Sequence, residues 1–319
     1  MSDQQAATHG KREKHSLNVR RIVVPTDLSP IADEALARAL EIARPTGASI
    51  EVLTVLGQVD GDSFNPIRYS PEASARKESS TNLLRESLHA LVARHDTEGV
   101  QVSVSVRKGR PLHTVLTFAR RERADLLVVG THDRGVLHHF LVGSMAEELV
   151  RRAPCSVLVV HERDERPAAG VRSVLVPVDL SEATGHLLRY AATVTMMLDA
   201  RMNVVHVVEP IPVLDTFSGA MTLRDMVPDM KKHSAAELQK MLDRIDLSFF
   251  TDGGDYGVFV DEGHAASSIV DRSKREEADL IIIGKRGRSA IERFFIGSVT
   301  ERVVRHAPCP VLVVETTAP

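Results

Sequence analysis

The chain repeats itself. Near residue 22 it reads RIVVPTDLSP, and near 173 it reads SVLVPVDLSE; ADLLVVGTHDRG near 124 is answered by ADLIIIGKRGRS near 278. LVGSMAEELVRRAPCSVLVV in the first half returns as FIGSVTERVVRHAPCPVLVV in the second. Blocks that match in the same order mean one domain present twice, and that restricts the architecture before any local propensity is weighed. With 319 residues in total, each copy is long enough to bury a core of its own. The expected division is a polar, disordered tail at 1–18, a first domain at 19–161, a charged linker with Pro and Gly at 162–170, and a second domain at 171–316.

Inside each copy, short apolar β-branched runs alternate with helical patterns, as βαβ units of a parallel sheet do. In the first copy the expected strands are Ile22–Val24, Ile50–Leu56, Val100–Val106, Leu126–Val129 and Val157–Val160. Helices are expected after Ser29, over 72–95, over 111–122 and over Ser144–Arg152. The second copy places strands near 173–177, 202–208, 256–261, 280–283 and 311–314. The fold class is therefore α/β: two tandem five-stranded, parallel, doubly wound, Rossmann-like domains. Ligands of such sheets lie beyond the carboxyl ends of the strands, where the strand order reverses. Asp27 and Asp179 after the first strands, and the Gly-rich segments after the fourth, fall at that edge. Duplication of a core alone would not require duplicated loop chemistry there.

Composition excludes several classes. A net charge of −3 gives no electrostatic footing for nucleic acid or an anionic membrane, and Trp is absent. The apolar runs are strand-sized, too short to span a bilayer. Cys155 and Cys309 are one position seen twice, each in an Ala-Pro-Cys turn before a strand, where a cysteine serves as a small hydrophobe. Two cysteines make neither a disulfide framework nor a Cys-rich metal site, and the expected location is the cytoplasm. His132, His138 and His139 diverge too much for a chelate and read as a solvated surface. No P-loop and no Gly-x-Gly-x-x-Gly after the first strand is present. Asp125 and Asp279, before the fourth strands, read as turn residues.

The second copy carries Gly284-Lys-Arg-Gly287, nine residues, and then Gly297-Ser298. Glycines at the end of a strand let a ligand approach the backbone, and a helix opening after Gly297 presents free amides with the positive end of its dipole behind them. Lys285, Arg286 and Arg288 add charge nearby. A reading without a ligand stands beside this one. Glycines serve turns, and Ser298 with Glu301, like Ser144 with Glu147, makes a capping box that needs no anion.

Taken together, Gly284, Gly287, Gly297 and Ser298, in register with Val176-Pro177-Val178-Asp179 and the Ala-Pro-Cys-Pro-Val-Leu-Val-Val strand, resemble the universal stress protein family. The resemblance covers nearly all of residues 20–315 as two tandem domains. It implies ATP, with or without Mg²⁺, bound mainly in the second domain: phosphates on Gly287, Gly297 and Ser298, Asp179 by the ribose or adenine edge, and Pro177, Val178 and Gly284 in the same site. It also implies a regulatory or stress-survival role, and an antiparallel pairing of the two fifth strands that makes one chain a pseudo-dimer, able to associate again as a homodimer. Val178 stands where the first copy keeps Thr26, a loss of one hydrogen bond worth about 0.5–1.5 kcal/mol. In the first copy the matching positions are Pro25, Thr26, Asp27, Gly130, Gly143 and Ser144, but Asp133 replaces the second glycine and sets a carboxylate toward the phosphates. Two alternatives compete: a slow Mg-dependent ATPase using the same loop, with no efficient base in view, and a nucleotide-free protein-interaction module.

Overall fold

The computed structural model describes residues 19–57, 71–131, 144–161, 170–209, 223–245, 256–286 and 296–315, with backbone alone at 71–79, 144 and 223–228. The first copy runs β1 (Arg21–Pro25), α1 (Pro30–Thr46), β2 (Ser49–Gly57), α2 (Pro71–Val92), β3 (Val102–Gly109), α3 (Pro111–Arg121), β4 (Leu126–Thr131), α4 (Ser144–Arg152) and β5 (Ser156–His161). The second runs β6 (Ser173–Val178), α5 (Thr184–Met197), β7 (Arg201–Val208), α6 (Leu223–Leu242), β8 (Tyr256–Glu262), α7 (Ala265–Arg275), β9 (Leu280–Gly284), α8 (Ser298–His306) and β10 (Val311–Val314).

Local chemistry accounts for the element ends. Ser29 caps α1 by accepting from the Ala32 amide at 3.4 Å, Pro30 occupies the first turn, and Gly47 closes the helix at φ 68° with its amide on the Ala43 carbonyl. Asp125 accepts from the Arg20 and Arg21 amides at 2.8 and 2.9 Å, and Asp279 does the same for Arg172 and Ser173. These two aspartates are turn residues that pin the start of the first strand of each copy to the start of its fourth.

The ten strands form one sheet in the order β3-β2-β1-β4-β5-β10-β9-β6-β7-β8. Within each copy all pairings are parallel; β5 and β10 meet antiparallel, with Val157 opposite Val313, Leu158 opposite Leu312 and Val159 opposite Val311. Apolar side chains leave these strands alternately to two faces, so two core layers form, one on each side of the sheet. One packs Ile22, Val24, Val174 and Val176 under α1, α2, α5 and α6; the other packs Val23, Leu175, Ile281 and Val313 under α3, α4, α7 and α8. Both layers run through the two copies without a break, so the seam is core rather than a wet contact. Polar bonds also cross it. The Arg305 guanidinium meets Glu147 at 2.6 Å, and His161 Nε2 donates to the Val304 carbonyl at 2.6 Å.

Candidate functional site

The order of strands reverses between β1 and β4 in one copy and between β6 and β9 in the other. At the second reversal the ladder is short: Val174 pairs with Leu280 and Leu175 with Ile281, and then the strands part, whereas β6 stays with β7 for six pairs. The carboxyl ends of β6 and β9 thus border a crevice made by topology and twist.

A cavity of about 840 Å³ opens there. Its walls include Pro177, Val178 and Asp179 from the β6 end, Gly284 from the β9 end, and Gly297 and Ser298 at the start of α8. Six of the seven positions expected in the second copy therefore share one cavity; Gly287 lies outside the described residues. The far wall comes from the end of β7, with His206 and Glu209, and from α6, with Asp229, His233 and Glu237.

The β6–α5 turn is built around Asp179. Its Oδ1 accepts from the Ser181 amide at 3.1 Å and from the Thr184 hydroxyl at 3.3 Å. Leu180 follows in the left-handed region at φ 58°, as Leu28 does at φ 66° after Asp27. That conformation costs a non-glycine residue about 1–2 kcal/mol, and it recurs at one place in both copies, beside the crevice. In the first copy the Thr26 hydroxyl accepts from the Leu28 amide at 2.9 Å. The hydroxyl that Val178 lacks therefore serves the turn in the first copy.

Two helix N-termini face the cavity, and they differ. At α7 the Ala265 amide is met by Glu209 Oε1 at 2.7 Å, so an internal carboxylate already fills that positive end. At α8 the cap is Gly297, extended at φ −64° and ψ 141°, with no side-chain capping bond. This corrects the capping-box reading of Ser298: the serine is the first helical residue, one place too late to cap. The Gly297 carbonyl accepts from Glu301, and the Thr300 hydroxyl donates to the Gly284 carbonyl at 2.8 Å, tying α8 to β9. Among the described residues nothing meets the amides of Ser298, Val299 and Thr300. They form an open end of the kind anions occupy.

The cations after Gly284 separate. Lys285 turns away from the cavity: buried, it donates to the Ala153 carbonyl of the first copy at 3.2 Å and pairs with Glu315 at 2.8 Å. Arg286 lines the cavity and pairs with the other oxygen of Glu315 at 3.1 Å. Arg288 lies outside the described residues.

In the first copy, Pro25, Thr26 and Asp27 end β1, Gly130 lies in β4, and Ser144 opens α4. Gly143 and Asp133 lie outside the described residues. Gly130 has a packing reason of its own, since a Cβ there would come within 2.8 Å of the Ile31 carbonyl oxygen. Cys155 and Cys309 are buried strand-entry residues, and burial, before any nearby charge, pushes the Cys155 thiol up to about 12.

His206 was not among the expected positions. With Asn203 it is one of two polar residues that interrupt the apolar run of β7, Arg201–Val208, and that interruption was the available signal. Its Nδ1 donates to the Val178 carbonyl at 2.9 Å, just as the Thr54 hydroxyl donates to the Thr26 carbonyl in the first copy. The α6 residues carry no sequence mark that separates them from an ordinary solvated helix face.

With this geometry in hand, the chain can be compared with known proteins. A model of the Universal stress protein family matches residues 18–161 and again residues 170–315. Over 151 residues the chain is 29% identical to a universal stress protein of Methanocaldococcus jannaschii, a match covering 45% of this chain and 82% of the other. The crystal structure of a universal stress protein from Archaeoglobus fulgidus is similar at a TM-score of 0.62 and 19% identity, with 94% of this chain and 100% of that one covered. A functionally unknown protein from Pseudomonas aeruginosa is similar at a TM-score of 0.55 and 19% identity, with 93% of each chain covered. The two structural likenesses show the fold.

Proposed function

The chain belongs to the universal stress protein family, and from that premise we propose that its second domain binds ATP, one nucleotide per chain, in a regulatory or stress-survival role. The observation that carries this reading is the meeting of Asp179, Gly284 and the open amides of α8 in a single cavity of about 840 Å³. That volume falls within the roughly 300–1,000 Å³ usual for small-molecule sites. Among the described residues nothing occupies the positive end of α8, while that of α7 is taken by Glu209.

Among the described residues no group of three His, Cys, Asp or Glu side chains is placed to hold a metal ion. Mg²⁺ would therefore arrive on the phosphates, where it neutralises charge in a cavity that also carries Asp179, Glu209, Asp229 and Glu237. Binding, not turnover, is the favoured reading, because Asp179 is committed to its own turn and is poorly free to position water. Among the described residues no helix is long and apolar enough to cross a membrane.

The test is chemical. Protein incubated with Mg-ATP and freed of excess is heat-denatured, and the released nucleotide is counted by ion-exchange chromatography. About one ATP per chain, lost in Gly287→Asp, supports the reading; no nucleotide from the unaltered protein refutes it.

A further inference from the structure

We infer that Glu315 sets the grip of the second domain's cavity on a polyphosphate: it is a positioning residue that holds Arg286, and a bound phosphate must take that guanidinium from it. This rests on the nucleotide reading above. Arg286 lines the cavity with Gly284, Gly297 and Ser298, and its side chain is 14% exposed. One oxygen of Glu315 pairs with it at 3.1 Å, and the other pairs with Lys285 at 2.8 Å. Two cations thus share one carboxylate, and the guanidinium is the one that stands at the cavity wall. A planar guanidinium suits a phosphate as well as it suits a carboxylate, and a terminal phosphate carries the greater negative charge.

The exchange leaves no charge stranded. When phosphate takes Arg286, Glu315 keeps Lys285, which is buried and also donates to the Ala153 carbonyl at 3.2 Å. Without Lys285 the carboxylate would lose both cations at once, a costly step for a group held away from water. The backbone of Lys285 also frames the site: its amide donates to the Val314 carbonyl at 2.9 Å, and its carbonyl accepts from Gly297 at 3.0 Å, at the cap of α8. The Glu315 amide in turn donates to the Ser156 hydroxyl of the first copy at 3.4 Å. The carboxylate that restrains the site is therefore anchored on the other domain. The first copy is built differently, since His161 stands at the position of Glu315 and bonds to the Val304 carbonyl.

The experiment is equilibrium dialysis of Mg-ATP against the unaltered protein, Glu315→Gln, Lys285→Met, Arg286→Met and the double variant Glu315→Gln with Arg286→Met, beside the urea midpoint of each. Glu315→Gln releases Arg286 and should raise ATP affinity about fivefold, although Lys285 loses its partner and the urea midpoint falls. Lys285→Met also lowers the midpoint, but it leaves Glu315 to Arg286 alone and should lower ATP affinity about fivefold. Arg286→Met should weaken binding about tenfold, and the gain from Glu315→Gln should vanish in the double variant. A purely structural Glu315 lowers affinity and stability together, and a diffuse charge effect keeps its gain in the double variant. Either result, or an affinity that Glu315→Gln leaves unchanged, overturns this inference and leaves the nucleotide site standing. If Glu315→Gln does not fold, Lys285→Met carries the test, and an unchanged or raised affinity there overturns the inference. Binding of no ATP by the unaltered protein overturns the site and this inference together.

Discussion

The N-terminus of α8 allows a substitution whose effects on stability and on binding have opposite signs. Gly297 caps that nine-residue helix in an extended conformation, φ −64° and ψ 141°, that any residue adopts, and no side chain serves the cap. In Gly297→Asp the new carboxylate accepts from the Val299 or Thr300 amide, a gain over glycine of a few tenths of a kcal/mol. Its charge beside the positive end of the helix adds about 0.3–1 kcal/mol. The nucleotide-free protein is therefore expected to melt about 1–4 °C higher. For a phosphate the same change is prohibitive: its amides are taken, and a fixed negative charge about 4 Å away costs about 4 kcal/mol at an effective dielectric near 20. ATP affinity should fall on the order of a thousandfold. Thermal melting without nucleotide, run beside equilibrium dialysis with ATP, reads both quantities. A variant that melts higher and binds ATP normally shows that phosphates do not use this helix. A variant that loses stability and binding together shows that the loss of affinity is a folding defect, and the reasoning fails.

Other consequences can be checked alongside. Lys285→Met removes the donor to Ala153 and one partner of Glu315 while Arg286 keeps the other oxygen; the expected cost is about 1–3 kcal/mol, below that of a fully isolated buried charge, read from the urea midpoint. Gly130→Ala sets a Cβ 2.8 Å from the Ile31 carbonyl oxygen and should destabilise by about 1–3 kcal/mol, whereas Gly57→Ala, with nothing within 4 Å, should leave the melting temperature unchanged. Burial raises both the Cys155 thiol, from 9.0, and the Tyr190 hydroxyl, from 10.0, to about 12. The folded chain therefore holds protons that the unfolded chain releases: stability is intact below pH 9 and falls between pH 9 and 12, by at most about 1.4 kcal/mol per pH unit for each group. Urea titrations at pH 8 and pH 10.5 measure that slope. For the same reason iodoacetamide at pH 8 should alkylate Cys155 in the denatured protein and spare it in the folded one.

What could be read from the amino acids was what repeats and what is local. The β-branched runs, the Asp125 and Asp279 turns and the strand-entry cysteines each appear twice, and each is decided by neighbours close in the chain or by burial alone. What could not be read depends on partners far away. Lys285, Arg286 and Arg288 look alike as loop cations, but Lys285 is drawn from the cavity by a carbonyl 132 residues distant, in the other copy. Ser298 matches a capping pattern, and a shift of one residue in the start of α8 removes it from that role. Asp179 sits where the pattern expects it, yet its hydrogen bonds go to its own turn. His206 takes its place from pairing with β6, whose Val178 carbonyl it meets, and from the cavity wall it joins where β6 and β9 part.

The antiparallel meeting of β5 and β10 has one more consequence. In an assembly of two identical chains, every substitution is made twice, and a contact across the two-fold axis can improve only if it suits both symmetry-related places at once. Joining the halves in one polypeptide removes that constraint. The seam records the freedom: on one side Lys285 reaches Ala153 and Glu315, while on the other the position of Glu315 is His161, bonded to Val304. The two sides of the seam therefore carry different polar contacts around the same apolar pairing.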